Sequence, residues 1–177
     1  MKHLVAGLAA ALTAAALSLG AVPALAADAP TDPQIAHIAY TAGSIDIEAA
    51  KLALSKTAND EVRAFAESML SDHQAVNDQA LALVEKLGVT PEDNATSQAL
   101  TEAAEARQAE LGALEGAEFD RAYIDNEVAF HQQVLEALDT VLIPSAQNAE
   151  LKSLLETGYK LFQGHEQHAE HVAEALK

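Results

Sequence analysis

The stretch from Leu151 to Lys177 has the sequence LKSLLETGYKLFQGHEQHAEHVAEALK and decides how the chain should fold. Its apolar and small residues recur alternately four and three positions apart, which is the spacing of one face of an α-helix. That face consists of Leu151, Leu155, Gly158, Phe162, His165, Ala169, Val172 and Leu176. A histidine therefore holds one position of a stripe that should face other helices. His168 lies at the margin of the stripe, and His171 should face water.

Three earlier segments show the same spacing and are predicted to be long helices, over residues 32–57, 60–87 and 117–143. Gly88 and Pro144 are typical of helix ends, and Asn148 is typical of the residue that caps a helix start. Between the second and third long helices, a shorter helix with few apolar positions should be capped by Thr96 or Ser97 and end near Gly112.

No segment alternates apolar and polar residues with a period of two, so the chain lacks the pattern of a half-buried strand. Four long amphipathic helices predict an all-α four-helix bundle. The shorter helix between the second and third long helices should lie over one side of the bundle as a crossover.

The N-terminal segment has the features of an export signal. A short basic start precedes an uncharged run from Leu4 to Leu19, Pro23 follows, and Ala24-Leu25-Ala26 has the pattern that a signal peptidase cleaves. We predict that residues 1–26 are a cleaved signal peptide, that 27–32 are a flexible leader and that 33–177 form the bundle. The mature chain has no apolar run long enough to span a membrane. Export of this kind predicts a periplasmic protein, free or associated with the outer membrane.

The composition excludes several classes of partner and site. The chain has 27 acidic against 10 basic residues and a formal net charge of −17, which disfavours nucleic acid and anionic lipid as partners. It contains no cysteine, so disulfides and thiolate metal sites are excluded. It also contains no Gly-rich phosphate loop, no His-Glu-x-x-His pair and no Gly-x-Ser-x-Gly turn, and we predict no catalytic residue.

Polar residues interrupt the apolar stripes near the middle of the predicted helices, where residues of neighbouring helices share a layer. The candidate metal ligands are His73, His131, His165, Glu127, Glu48 and His168. Asp72 lies beside His73 in the sequence and could accept a hydrogen bond from a ligating imidazole. Buried imidazoles with carboxylates either form a closed hydrogen-bond network or share a cation, and the sequence leaves both alternatives open.

Several motifs resemble a bacterial family of exported, ferritin-like four-helix proteins that is known as a domain of unknown function and is often labelled outer-membrane or periplasmic. They are Ala64-Phe65-Ala66, Asp72-His73 and the run Phe119-Asp120-Arg121-Ala122-Tyr123 with His131. The resemblance covers residues 33–175 and implies a ferritin-like bundle, with His73, His131 and His165 at the recurrent histidines of the family. His168 and His171 depart from its pattern.

The leading functional hypothesis is a periplasmic module that binds a divalent transition metal, Zn or Cu(II), through the mid-bundle histidines. A di-iron site needs Glu-x-x-His on two helices, and the residues three before the histidines are Leu70, Val128 and Phe162, so iron is disfavoured. The alternative is a metal-free structural module of the cell envelope that meets a protein partner or a second copy of itself. A mononuclear metal oxidoreductase is a third class, and it would need an open coordination position.

Overall fold

The computed structural model of the protein describes residues 29–177, and this part of the chain contains helices and no strand. The helices are α1 (Asp32–Lys56), α2 (Asp60–Leu87), α3 (Ala95–Gly112), α4 (Gly116–Ala137), α5 (Ile143–Ser145) and α6 (Ala149–Ala175), with a π-helical segment, Leu138–Leu142, between α4 and α5. The predicted signal peptide, residues 1–26, lies outside the described residues. Within them, no helix combines the length and apolarity that crossing a membrane requires.

Side-chain caps fix where the helices begin. The Asn148 side chain accepts hydrogen bonds from the backbone N–H groups of Glu150 and Leu151, as its position before α6 predicts. The predicted cap of the crossover helix, Thr96 or Ser97, is wrong. Asn94 is the cap of α3, because its side chain accepts from both of those N–H groups while the Ser97 hydroxyl accepts from the Asn94 N–H.

The sequence predicts a regular helix up to Ile143 for the third long helix, but the structure differs. Its last turn widens into the π-helical segment Leu138–Leu142, in which the N–H of Ile143 donates to the carbonyl of Leu138. Pro144 has no N–H, and its ring disfavours α-helical bonding in the turn before it. The proline therefore disturbs the turn before it, and the helical segment ends one residue after it, at Ser145.

Contacts between helix ends give the direction of each helix. The Asp32 carboxylate at the start of α1 accepts hydrogen bonds of 2.8 Å from the N–H groups of Gln147 and Asn148, just before α6. The N–H of Glu92, after α2, donates to the carbonyl of Pro33 at 3.0 Å. Since α2 returns to the start of α1 and α6 begins there, α1 and α6 run in one direction and α2 in the other.

The helix α3 carries the chain back along the length of the bundle. It begins where Asn94 Nδ2 donates to the carbonyl of Gln34, and it ends where Lys56 Nζ donates to the carbonyl of Gly112. The helix α4 then runs parallel to α2. The helix α1 packs on α2 and α4 packs on α6, while α3 lies outside against α1 and α4. The predicted all-α four-helix bundle with a crossover helix is confirmed, and its single long crossover is the connectivity of ferritin-like bundles.

The core consists of two apolar clusters, one toward each end of the bundle. The first contains Val62, Phe65, Met69, Phe119, Tyr123 and Ile124, and the second contains Ile35, Ile38, Leu138, Leu142, Leu155 and Phe162 among others. Buried polar side chains from four helices lie between them. This polar layer is the candidate site.

Candidate metal centre

The polar layer consists of five ionisable residues on four helices: Asp46 of α1, His73 of α2, Glu127 and His131 of α4, and His165 of α6. None of the five is more than 7% exposed. Glu127 and His131 lie one turn apart on the same face of α4, which places the carboxyl next to the imidazole. Burial of five such groups in one layer is unfavourable unless they are paired or share a cation.

The three histidines meet at the centre of the layer. One nitrogen from each of His73, His131 and His165 lies within 4.8 Å of the other two. His165 Nδ1 lies 3.2 Å from His73 Nε2. The structure thus brings together the three histidines that the helical spacing places on inward faces.

Hydrogen bonds on the outer side of the rings set the tautomers of two histidines. His165 Nε2 lies 3.0 Å from Asp72 Oδ2, so this nitrogen carries the proton and donates to the carboxylate. His131 Nδ1 lies 2.8 Å from the backbone carbonyl of Glu127 and likewise must donate. The inward nitrogens, His165 Nδ1 and His131 Nε2, are therefore lone-pair acceptors. Metal-binding histidines have this arrangement, since they donate their other N–H to a carboxylate or a carbonyl.

Two carboxyls complete the layer. Asp46, Glu127 and His131 form a second group whose ligand atoms lie within 4.8 Å of one another. Asp46 Oδ2 is 3.4 Å from His73 Nε2, and Glu127 Oε2 is 3.9 Å from His131 Nδ1. Both groups include His131, so the two carboxyls lie next to the three imidazoles.

The hydrogen-bonding capacity of the layer is only partly used. Among the described residues, the buried atoms without a hydrogen-bond partner include Asp46 Oδ1 and Oδ2, His73 Nδ1, Glu127 Oε2 and His131 Nε2. Buried polar atoms in native proteins are nearly always paired, so several unpaired atoms in one place need a physical reason. A shared cation would satisfy the oxygens and the inward nitrogen together.

Burial raises the pKa values of both carboxyls. It raises the pKa of Glu127 to about 8. It also raises the pKa of Asp46 well above its usual value, with the negative charge of Glu127 as a second cause. The layer resists holding two negative charges without a positive partner.

Burial lowers the pKa values of the three histidines. It lowers the pKa of His73 to about 2, with the neighbouring His165 and His131 as further causes, and it lowers the pKa of His131 to about 4. The pKa of His165 is also lowered by burial, although its bond to Asp72 counteracts the shift. The imidazoles are therefore neutral at pH 7, which is the form that binds metals.

Tyr123 is a further polar residue beside the layer. It lies one turn before Glu127 on α4, is fully buried, and has a hydroxyl without a hydrogen-bond partner among the described residues. Burial and the charges of Glu127 and Asp46 raise its pKa well above the usual value. Its ring is parallel to that of Phe119, with the ring centroids 6.0 Å apart.

Two of the predicted candidates do not lie in the layer. Glu48 is exposed on α1 and pairs with Lys51 at 2.7 Å, so the helix supplies Asp46 in its place. His168 is exposed on α6, and its ring packs edge-on against Phe65 with centroids 5.1 Å apart. Both side chains are kept away by helical phase, because neither lies on the face that carries the buried residues of its helix.

Asp46 is the layer residue that the sequence pattern does not identify. A strict alternation of three and four assigns Ile45 to the inward face of α1, whereas the buried positions are Ala42, Asp46 and Ala49. The two steps from Ala42 to Ala49 are therefore four and three residues, whereas the alternation predicts three and four. The available signal was an acidic residue four positions after one inward alanine and three before another.

Comparison with known proteins shows what the chain resembles. A DUF305 fragment from Deinococcus radiodurans superposes with a TM-score of 0.72 at 17% identity, covering 81% of this chain and 95% of the fragment. A DUF305 protein from Streptomyces coelicolor that is proposed to be secreted gives a TM-score of 0.61 at 12% identity, covering 82% and 88%. At such identities the likeness concerns the fold alone.

No curated protein has a sequence that matches this one. A protein family does match, over residues 17–172, and thus over most of the region for which a family resemblance was predicted. The chain belongs to the family described as "Domain of unknown function (DUF4142)".

Proposed function

We propose that this protein binds one divalent transition-metal ion in the polar layer. The ligands are His73, His131 and His165, and Asp46 and Glu127 supply carboxylate oxygens. The observation that carries the proposal is the convergence of three neutral, buried imidazoles, two of which donate from their outer nitrogens, His165 to Asp72 and His131 to the backbone carbonyl of Glu127. Such outer hydrogen bonds orient imidazoles toward a metal.

The distances support a shared ion. Two nitrogens that bind one tetrahedral ion at about 2.0–2.1 Å lie about 3.4 Å apart. His165 Nδ1 and His73 Nε2 are 3.2 Å apart, and the third nitrogen lies within 4.8 Å of both.

The charge of the layer also supports a cation. Among the described residues, no lysine or arginine forms an ion pair with Asp46 or Glu127. One divalent ion would balance two carboxylates and leave the buried layer neutral. A second divalent ion would leave two uncompensated positive charges, so we propose a single ion.

The donor set favours Zn or Cu(II). Imidazole suits both ions, and each accepts carboxylate oxygen in the same site. A di-iron carboxylate site is disfavoured, because Leu70, Val128 and Phe162 stand where its Glu-x-x-His glutamates would be.

We also propose that the protein works in the periplasm after removal of residues 1–26. The support is the N-terminal sequence, with its basic start, apolar run and Ala24-Leu25-Ala26. The acidic surface and the absence of cysteine are compatible with an exported chain that collects a cation. Sequencing the N-terminus of the protein from a periplasmic extract tests the cleavage site, and a start other than Ala27 would contradict it.

The metal proposal is tested by two measurements. Elemental analysis of protein purified from its native periplasm should find one equivalent of Zn or Cu. Calorimetric titration of metal-stripped protein should find one site for each ion, and His73→Ala or His131→Ala should weaken binding strongly. His171→Ala is the matched control, because His171 is exposed on α6 and should leave the affinity unchanged. Silent titrations of the stripped protein would overturn the proposal.

A metal-free structural module is the second candidate. The observation in its favour is that His165 already bridges His73 and Asp72 by hydrogen bonds of 3.2 and 3.0 Å. Under this alternative the periplasmic protein contains no stoichiometric metal, and its acidic surface binds an envelope protein or a second copy of the chain. The same elemental analysis separates the two functions.

A further inference from the structure

A large cavity lies in the half of the bundle where α1 and α6 begin. Its volume is about 790 Å³. Its walls come from all six α-helices and the π-helical segment, together with Ala29 and Pro30 before α1. Small-molecule sites in proteins have volumes of about 300–1,000 Å³. The cavity opens to solvent, since Val141 in its wall is 42% exposed, and a largely apolar space of this size between the helices needs an explanation.

Gly158 helps to keep this space open. It is buried in the middle of α6 and lines the cavity, yet a Cβ atom added at its position would meet nothing within 4 Å. Gly43 of α1 is different, because a Cβ atom there would lie 2.4 Å from Asn77 Oδ1. Close packing explains Gly43 and does not explain Gly158. A glycine inside a helix is destabilising by about 0.5–1 kcal/mol relative to alanine, so its use here favours a function for the space.

The walls are apolar and carry no charge. Among the described residues that line the cavity, none is Asp, Glu, Lys, Arg or His, although the chain as a whole has a net charge of −17. Aliphatic side chains such as Ile38, Leu83, Leu138 and Leu155 dominate the lining, with neutral groups such as Asn77 and Gln133 between them. A charged ligand would lose its hydration here without gaining an ionic partner.

Two other features mark the walls. The π-helical segment contributes Leu138, Val141 and Leu142, and π-type turns within helices frequently occur at functional sites. Phe162 closes the cavity toward the polar layer, with its ring centroid 4.9 Å from that of His73 and 5.1 Å from that of His131. The cavity and the histidines are therefore adjacent but separated by one aromatic ring.

We propose that the cavity lined by Gly158 binds one neutral, apolar small molecule between the helices, next to the metal centre and independently of it. The ligand is an uncharged aromatic or alkyl compound without an ionised headgroup. Apolar contacts and the release of wall surface from water supply the affinity.

A pair of dyes that share one ring system tests the ligand class. N-phenyl-1-naphthylamine is neutral, and 1-anilinonaphthalene-8-sulfonate carries an additional sulfonate. The neutral dye should bind metal-stripped protein at one per chain with enhanced fluorescence. The sulfonated dye should bind about tenfold more weakly or worse, since its charge has no partner in the cavity. Equal binding of both dyes would overturn the stated ligand class.

Filling the cavity tests the location. Gly158→Leu places four carbon atoms in the open space and should weaken binding of the neutral dye by about tenfold or more. Gly164→Leu is the matched control, because Gly164 is an exposed glycine of the same helix with nothing within 4 Å of an added Cβ atom. It makes the same change of helix propensity and should leave dye binding unchanged. Circular dichroism should show a native helix content in both variants.

If Gly158→Leu does not fold, Gly158→Ala gives a smaller decrease in affinity with little risk to packing. Dye binding that is unaffected by both Gly158 variants, or affected equally by Gly164→Leu, would overturn the proposal. So would the absence of neutral-dye binding to the native protein. Because the protein is stripped of metal throughout, failure here leaves the metal proposal standing, and a silent metal titration leaves this one standing.

Discussion

His165 Nε2 lies 3.0 Å from Asp72 Oδ2, and this contact joins a buried imidazole to a carboxylate that is half in water. The proton stays on Nε2, so Nδ1 faces the layer as a lone pair, 3.2 Å from His73 Nε2. The adjacent position of Asp72 and His73 on α2 directs one side chain to the rim and the other to the centre. Asp72 therefore orients a ligand without occupying the site.

Asp72→Ala should weaken Zn and Cu(II) binding by about 10–100-fold, the usual effect of removing a carboxylate that orients a metal-bound histidine. Asp72→Asn keeps an acceptor and should recover part of the loss. Calorimetric titration of the stripped variants measures the change. Asp78→Ala, which removes an exposed carboxylate from the same helix, should have no effect. Equal affinities for native and Asp72→Ala protein would mean that Asp72 does not position His165.

His131→Leu should separate binding from stability. In the metal-free protein the variant removes Nε2, a buried nitrogen without a hydrogen-bond partner among the described residues, and also the Nδ1–H that donates to the Glu127 carbonyl. It supplies an apolar side chain of similar size. We expect the free energy of unfolding at pH 7 to be unchanged or to rise by about 1–2 kcal/mol. Metal binding should be lost. Urea denaturation and calorimetry measure the two quantities, and His171→Leu should alter neither.

A large loss of stability in metal-free His131→Leu would contradict this prediction. It would show that His131 belongs to a closed hydrogen-bond network, as the metal-free alternative requires.

The stability of the metal-free protein should have its maximum between about pH 4.5 and 6.5. Burial raises the pKa of Glu127 from 4.5 to about 8, so the folded chain keeps a proton that the unfolded chain releases, and stability falls as pH rises through this range. The raised pKa of Asp46 likewise makes the stability fall as pH rises. Burial lowers the pKa of His73 from 6.5 to about 2 and that of His131 to about 4, so stability falls as pH decreases below 6.5.

Each fully shifted group changes the free energy of unfolding by up to about 1.4 kcal/mol per pH unit. Urea denaturation of stripped protein from pH 4 to 9 measures the profile. Glu127→Gln should reduce the loss of stability above pH 6.5. Glu136→Gln, which changes an exposed side chain on the same helix, should not. Identical profiles for the two variants would show that Glu127 ionises as readily in the folded chain as in water.

The sequence predicts the bundle well because helical spacing depends on local geometry. The inward faces that carry His73, His131 and His165 follow directly from a period of 3.6 residues, and the structure buries all three. The burial of Asp46 and Asn77 is not predicted. Each lies one position after the residue that strict alternation places inward, Ile45 and Val76 respectively. Such a shift of the buried face by one residue depends on how α1 and α2 pack against each other. The spacing of residues within one helix gives no information on that packing.

Gly43 and Asn77 form the contact that follows from this shift of the buried face, and Gly43→Ala should be destabilising by about 1–3 kcal/mol. An added Cβ atom would lie 2.4 Å from Asn77 Oδ1. The Asn77 amide cannot move freely, since it is buried and donates to the Tyr40 carbonyl at 3.3 Å and to Ser44 Oγ at 3.1 Å.

Gly164→Ala makes the same chemical change at an open helical position and should be stabilising by about 0.5–1 kcal/mol. Urea denaturation with an unchanged m-value measures both. Combining Gly43→Ala with Asn77→Ala should recover part of the loss, because the second change removes the atom that clashes. If Gly43→Ala were as stabilising as Gly164→Ala, the close approach of α1 and α2 at this point would be wrong.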